Sequence, residues 1–193
     1  QPGIRLLPAS DDQVETHVVI DEPGPRPRVL HFQEWWIRHR AALPVRRFDF
    51  VGAEAARPAA GVVEALADAS VVLLAPSNPV VSIAPILAIP GLRAAVVDGR
   101  APVIGISPII DGAAVRGMAD RCLAAVGVEC SAAGVGGLLG ARKDGGVLDG
   151  WLVDTADAGT DLPGIRVLPR PLWMTSTAAT AMIVRDALEL ASV

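Results

Sequence analysis

The chain has 193 residues, 51% of them hydrophobic and 20% charged, with a formal net charge of −4. That length supports one sizeable core, and the composition excludes an intrinsically disordered chain. The acidic balance argues against a surface that tracks nucleic acid, although backbone N–H groups can still hold the phosphates of a nucleotide.

Residues 4–7 and 18–20 read as short strands around the turn Ser10-Asp11-Asp12. Residues 21–27, rich in Pro and Gly, read as a loop. Over 31–42 the spacing predicts a helix with Phe32, Trp35 and Trp36 on one broad face, and 46–51 returns to a strand pattern. A helix is predicted over 58–69, with Pro58 in its first turn. SVVLLA at 70–75 is the nearly unbroken apolar run of a strand buried on both faces of a parallel sheet. Pro76-Ser77-Asn78-Pro79 breaks it, a helix follows over 82–89, and Pro90-Gly91 ends that helix. PVIGI at 102–106 is a second buried strand. Residues 114–126 and 131–139 read as helices, 151–154 and 165–168 as strands, and 175–190 as an amphipathic helix. Alternating strands and helices imply an α/β fold: a three-layer Rossmann-like domain with a mainly parallel sheet and a small helical subdomain at 114–140.

Cys122 and Cys130 are too few for a disulfide framework and fit no zinc spacing, so both read as reduced packing residues. No apolar run reaches the ~18 residues of a membrane span. With no secretory-leader pattern at its start, the chain is expected to be cytoplasmic. Three segments could carry chemistry. APSNPVVSI at 75–83 leaves a strand and enters a helix, the place where doubly wound folds bind ligands. Ser77, Asn78 and Ser82 there read either as caps of the turn or as neutral donors to a diphosphate. ISPIIDG at 106–112 leaves the next strand. In the VRGMAD that follows, Gly117 permits close approach to a flat ligand and Met118 reads either as core or as a contact to a ring. In HFQEWW at 31–36, His31 and Trp35 lie one helical turn apart, either packing in an amphipathic helix or walling a ring pocket; the His31–Glu34 pair is a weak metal signal. There is no Ser–His–Asp set, phosphate-binding P-loop or CxxC site.

SDDQVET at 10–16, HFQEWW, APSNPVVSI, ISPII at 106–110, VRGMAD at 115–120 and LDGWLVD at 148–154 occur in that order. The series resembles the 2-phospho-L-lactate transferase (phosphoenolpyruvate transferase) family of deazaflavin coenzyme F-420 biosynthesis, especially its actinobacterial branch, over essentially the whole chain. The resemblance implies transfer of a phospho-lactyl or phospho-enolpyruvyl unit from a GDP-linked three-carbon acid to the ribityl hydroxyl of the deazaflavin Fo, with release of GMP and help from Mg2+. It implies a nucleotide site at Ser77, Asn78, Pro79 and Ser82, and a deazaflavin site at His31, Trp35, Ser107, Gly117 and Met118. It also implies that a glycine-rich loop and an acidic segment, carrying the catalytic carboxylates and metal ligands, lie outside these residues, so that the chain is the C-terminal part of one transferase domain. No nucleic acid or membrane partner is expected, and a homodimer is left open. Ala9, Ala84 and Asp111 depart from the family pattern, which has Met, Gly and Gly there; Asp111 adds a charge near the expected pocket. The alternative is a non-enzymatic sugar-nucleotide-binding regulator of the gluconeogenesis-factor type, which shares the Ser-Asn-Pro turn. HFQEWW and VRGMAD favour the transferase.

Overall fold

The computed structural model describes residues 3–24 and 26–192. Glu15–Ile20 (β1), Val29–His31 (β2) and Val45–Val51 (β3) form an antiparallel sheet of order β2-β1-β3. After it come Val62–Ala67 (α1), Val72–Leu74 (β4), Ala84–Leu87 (α2), Leu92–Val97 (α3) and Val103–Ile106 (β5). A hairpin of Ile109–Ile110 (β6) and Ala113–Ala114 (β7) leads to Ala119–Ala125 (α4) and Ala132–Leu139 (α5). Gly150–Val153 (β8), Arg166–Pro169 (β9) and Thr177–Ala191 (α6) follow.

The central sheet is parallel, in the order β4-β5-β8-β9. Successive side chains of a strand point to opposite faces. Ile104, Ile106 and Leu152 therefore meet Ile183, Ala187 and Leu190 of α6 on one side. Val103, Trp151 and Val153 meet α4, α5 and the antiparallel sheet on the other. These are the three layers expected of the α/β fold. The helices expected within 114–140 pack into this second core beside Val18 and Trp35. Ser131 and Ser176 start α5 and α6 by accepting the Gly134 and Ala179 N–H groups.

Trp151 ties the layers together. Its indole N–H donates to the Ala132 carbonyl at 3.0 Å, joining β8 to α5, and its ring lies over Gly105 of β5. A Cβ at Gly105 would come within 2.6 Å of that ring, and one at Gly150 within 2.7 Å of Ile104 on the other face. At the amino ends of β5 and β8, Arg142 grips Asp149 through Nε (3.1 Å) and Nη2 (2.8 Å) and donates to the Gly99 and Ala101 carbonyls. Asp149 in turn accepts the Val103 N–H at 2.8 Å.

Several expectations are corrected. Residues 4–7 form no strand: Ile4 and Leu6 are 88% and 95% exposed, with no ladder partner among the described residues. The helix over 31–42 reduces to a turn and a half, because His31 is taken into β2 by pairing with His17 and the backbone widens into a π-helical turn at Glu34–Arg38. The 58–69 helix begins only after Gly61, whose φ of 85° lies outside the helical region. Within the described sheet β4 stands at the end, so the three residues of SVVLLA that form it are half-buried here. Residues 114–118 are hairpin end and loop rather than helix. α3 and the β6–β7 hairpin were not anticipated. Asp111 and Gly112, at φ 50° and 71°, make the two-residue turn that such hairpins favour. Residue 25, within the expected loop, lies outside the described residues.

Gly105→Ala is expected to destabilise the protein by about 1–3 kcal/mol, because the new methyl group meets a rigid, buried indole. Urea denaturation measures it, and an unchanged midpoint would show that Trp151 does not depend on a bare backbone beneath it.

Candidate functional site

A cleft of about 470 Å³ opens at the carboxyl ends of β4 and β5. β4 ends at Leu74, and Pro76-Ser77-Asn78 turns across the cleft floor into the wide turn Pro79–Ile83, which continues directly as α2. The turn is π-helical because the Ile83 and Ala84 N–H groups reach back five residues to the Asn78 and Pro79 carbonyls. β5 ends at Ile106, and the Ser107 N–H extends the sheet by donating to the Leu152 carbonyl. Such turns recur at functional sites, and the carboxyl edge is where open α/β sheets bind ligands.

The polar groups of the cleft differ in what they have left to offer. Asn78 Oδ1 caps the turn by accepting the Val80 and Val81 N–H groups at 2.9 and 3.3 Å. The Ser107 hydroxyl, 2% exposed, is spent on the Ile109 carbonyl and N–H. The Ser77 and Ser82 hydroxyls line the cleft and make no hydrogen bond within the described residues. Pro79 is buried and lines the cleft's neighbour instead, an apolar cavity of about 500 Å³ on the far side of the same turn, walled by Phe48, Phe50, Val80 and Leu139.

The apolar wall is built by Phe32, Trp36, Val115, Met118, Leu172 and Met174. Met118 is both core and wall, 6% exposed as it enters α4. Gly117 beside it takes φ 75° with open space around it, so the backbone conformation, not crowding, selects glycine there. Leu172 is held in place by Asp154, a 5% exposed carboxylate just beyond β8, whose Oδ2 accepts the Leu172 N–H at 2.8 Å while Oδ1 accepts the Ala156 N–H.

Ser77, Asn78, Ser82, Ser107, Gly117 and Met118 thus come together, whereas His31 and Trp35 do not join them. Trp35 is 1% exposed, donates its indole N–H to the Leu43 carbonyl and packs against Phe32 and Phe48. His31 is exposed on β2, its ring edge-on to His17 at 5.8 Å. His17 in turn bonds Glu15 at 3.0 Å, and this bond, more than that from Gln13, holds the Glu15 carboxyl below the usual range. The residues that do face the cleft, Phe32 and Trp36, are also four apart. The helical spacing was legible, but its phase is shifted by one residue. Leu172 and Met174 were legible as the chain just beyond the carboxyl end of a predicted strand. Asp111, on the hairpin turn, does not line the cleft; its N–H donates to the Asp157 carboxylate just beyond β8.

Behind the floor, burial raises the Cys122 thiol to about 11, opposed by a hydrogen bond with the Asn78 side chain. Burial also raises Cys130, to a lesser depth. No three His, Cys, Asp or Glu side chains among the described residues are grouped to hold a metal ion. Nor is any described helix long and apolar enough to cross a membrane.

A parallel sheet covered on both faces, with a cleft at its carboxyl edge, defines a Rossmann-like α/β protein. The family model described as "2-phospho-L-lactate transferase CofD" matches residues 1–162, and the chain belongs to that family. It is 56% identical over 195 residues to the phosphoenolpyruvate transferase of Mycolicibacterium smegmatis, covering 100% of this chain and 59% of the relative. It is 53% identical over 196 residues to that of Nocardia farcinica, covering 100% and 58%. The chain therefore spans a little under three fifths of these relatives. Two crystal structures of a Bacillus halodurans protein, described in one as a member of the UPF0052 family, share the fold. Their TM-scores are 0.59 and 0.57 at 16% identity, covering 94% of this chain and 60% and 61% of theirs.

Two outcomes are expected at the floor. Asn78→Ala should lower stability by about 1 kcal/mol through loss of the cap, while Asn78→Asp, which keeps the acceptor oxygen, should retain most of it in urea titrations. An Asp variant as unstable as the Ala variant would count against capping. Cys122, kept as a thiol by burial, should resist alkylation at about pH 8 in the folded protein and react once it is unfolded; mass spectrometry after iodoacetamide treatment reads this, and rapid labelling of native Cys122 would contradict its burial.

Proposed function

We propose that this chain supplies the substrate cleft of a phospho-acid transferase of deazaflavin coenzyme biosynthesis. The donor is a three-carbon acid linked to GDP, and the acceptor is the deazaflavin Fo. The terminal ribityl hydroxyl of Fo attacks the phosphorus that bears the acid. An O–P bond forms, the anhydride P–O bond breaks, and GMP leaves. The name carried by relatives more than 50% identical to the chain, phosphoenolpyruvate transferase, favours the enolpyruvyl donor over the lactyl one.

The observation that carries this reading is the division of the cleft into a neutral polar floor and an aromatic and sulfur-rich wall. On the floor, the unspent Ser77 and Ser82 hydroxyls and the one amide N–H of Asn78 not turned to Cys122 are the donors for diphosphate oxygens, and Pro79 presets the turn that aims them. On the wall, Phe32, Trp36, Met118 and Met174 offer flat or adaptable surfaces to a fused ring. Ser107 and Gly117 shape the space between. Phe32 and Trp36 here take over the ring-binding role that the family resemblance implied for His31 and Trp35. The chemistry asked of these groups is positioning and charge stabilisation, which dominate phosphoryl transfer. None of the described residues lining the cleft is a carboxylate or imidazole, so the acceptor of the hydroxyl proton is not assigned within it. No step of the proposal runs through magnesium.

Calorimetric titration with Fo tests the reading. Trp36→Ala is expected to weaken Fo binding by roughly 0.5–1.5 kcal/mol, and His31→Ala to leave it unchanged. Trp35→Ala is expected instead to cost about 3–5 kcal/mol of stability, as core Trp truncations do. Wild-type protein that binds a sugar nucleotide and ignores Fo would overturn the transferase in favour of the regulator.

A further inference from the structure

The cleft is lined by neutral residues with one exception, Arg116. Six of the chain's sixteen arginines, Arg28, Arg38, Arg47, Arg121, Arg142 and Arg170, each face a carboxylate at 2.8–3.8 Å, and none of these six lines the cleft. Arg116 makes no ion pair and no hydrogen bond with any described residue, and it is exposed. The chain as a whole carries a charge of −4, so this free guanidinium makes the cleft locally positive on an otherwise acidic protein.

The backbone beneath Arg116 is anchored on both sides. The Val115 N–H donates to the Pro108 carbonyl at 3.1 Å, which ties the segment to the end of β5. Two residues on, Met118 is buried in the core and its carbonyl accepts the Cys122 N–H as α4 begins. Between these anchors, Gly117 at φ 75° turns the chain. The planar fork of an arginine matches a phosphate or carboxylate with two parallel hydrogen bonds, and a guanidinium is desolvated at lower cost than an ammonium.

We infer that Arg116 is the anion-reading residue of the cleft and holds an oxyanion of the donor, a phosphate or the carboxylate of the three-carbon acid. The inference rests on the nucleotide-linked donor proposed above and adds a charged contact to its neutral floor. Because Arg116 is exposed and makes no hydrogen bond or ion pair with a described residue, Arg116→Ala is expected to leave the thermal midpoint unchanged.

The test is calorimetry on the full chain with four probes: guanosine, GDP, the GDP-linked acid and Fo. Arg116→Ala should weaken the GDP-linked acid about ten- to hundredfold, as expected for loss of a charged hydrogen bond, and leave guanosine and Fo unchanged. An equal loss for GDP assigns the contact to a phosphate; a loss confined to the GDP-linked acid assigns it to the carboxylate. Arg116→Lys should recover part of the affinity, and the wild type should lose more affinity with added salt than the Ala variant. Wild-type binding that is intact and unaltered in Arg116→Ala overturns the inference alone. Wild-type protein that binds neither GDP nor the GDP-linked acid overturns the donor reading and the inference with it.

Discussion

The indole of Trp151 rests on the bare backbone of Gly105 and reaches across to the Ala132 carbonyl, and the rest of the molecule is arranged around that contact. One buried ring sets the spacing between β5 and α5, and through α5 the position of everything packed on that face, including the turn Pro79–Ile83. Any side chain at position 105 would lift the ring and shift the layer. A close-packed interior transmits such a displacement because it has few voids to absorb it. The opposite face carries an echo of the same device at Gly150, where a Cβ would crowd Ile104 and Leu190 of α6.

The two ends of the sheet are chemically unlike. At the amino end, Arg142 and Asp149 lock the starts of β5 and β8 with paired charges. At the carboxyl end the strands run out into turns that line the cleft with neutral groups and one charged one, Arg116. Some are spent on their own backbone, as at Ser107 and Asn78, and others are free, as at Ser77 and Ser82. Asp154 is a buried carboxylate at this edge, and its hydrogen bonds hold Leu172 in the wall rather than facing the cleft.

The aromatic segment at 31–36 shows how a correct pattern yields the wrong residue. Both His31 with Trp35 and Phe32 with Trp36 are spaced one turn apart. Pairing with His17 draws His31 into a strand, so the helical turn starts after it. Trp35 then falls under the turn into the core, where its N–H finds the Leu43 carbonyl, and Trp36 is left to face the cleft. Only the neighbouring strand decides which member of each pair is outside. The Asp111-Gly112 turn was legible in a different sense: an Asp-Gly pair flanked by apolar residues is a hairpin signal that reads locally, and it explains why residues 113–118 do not join α4.

The sequence by itself determined the fold class, because apolar periodicity is a local property written residue by residue, and the family, because its motifs stand in order along the chain. It also determined that the Pro76–Ser82 turn and the 106–118 stretch would meet, since consecutive parallel strands carry their carboxyl ends to one edge. The tertiary structure alone decided that β4 stands at the end of the described sheet, which residues of 31–36 face the cleft, which hydroxyls are spent and which remain free, and that Arg116 has no carboxylate beside it. Each of these depends on what stands opposite a residue in space, and partners such as Asp154 and Leu172, or Trp151 and Ala132, are too far apart along the chain for any periodicity to join them.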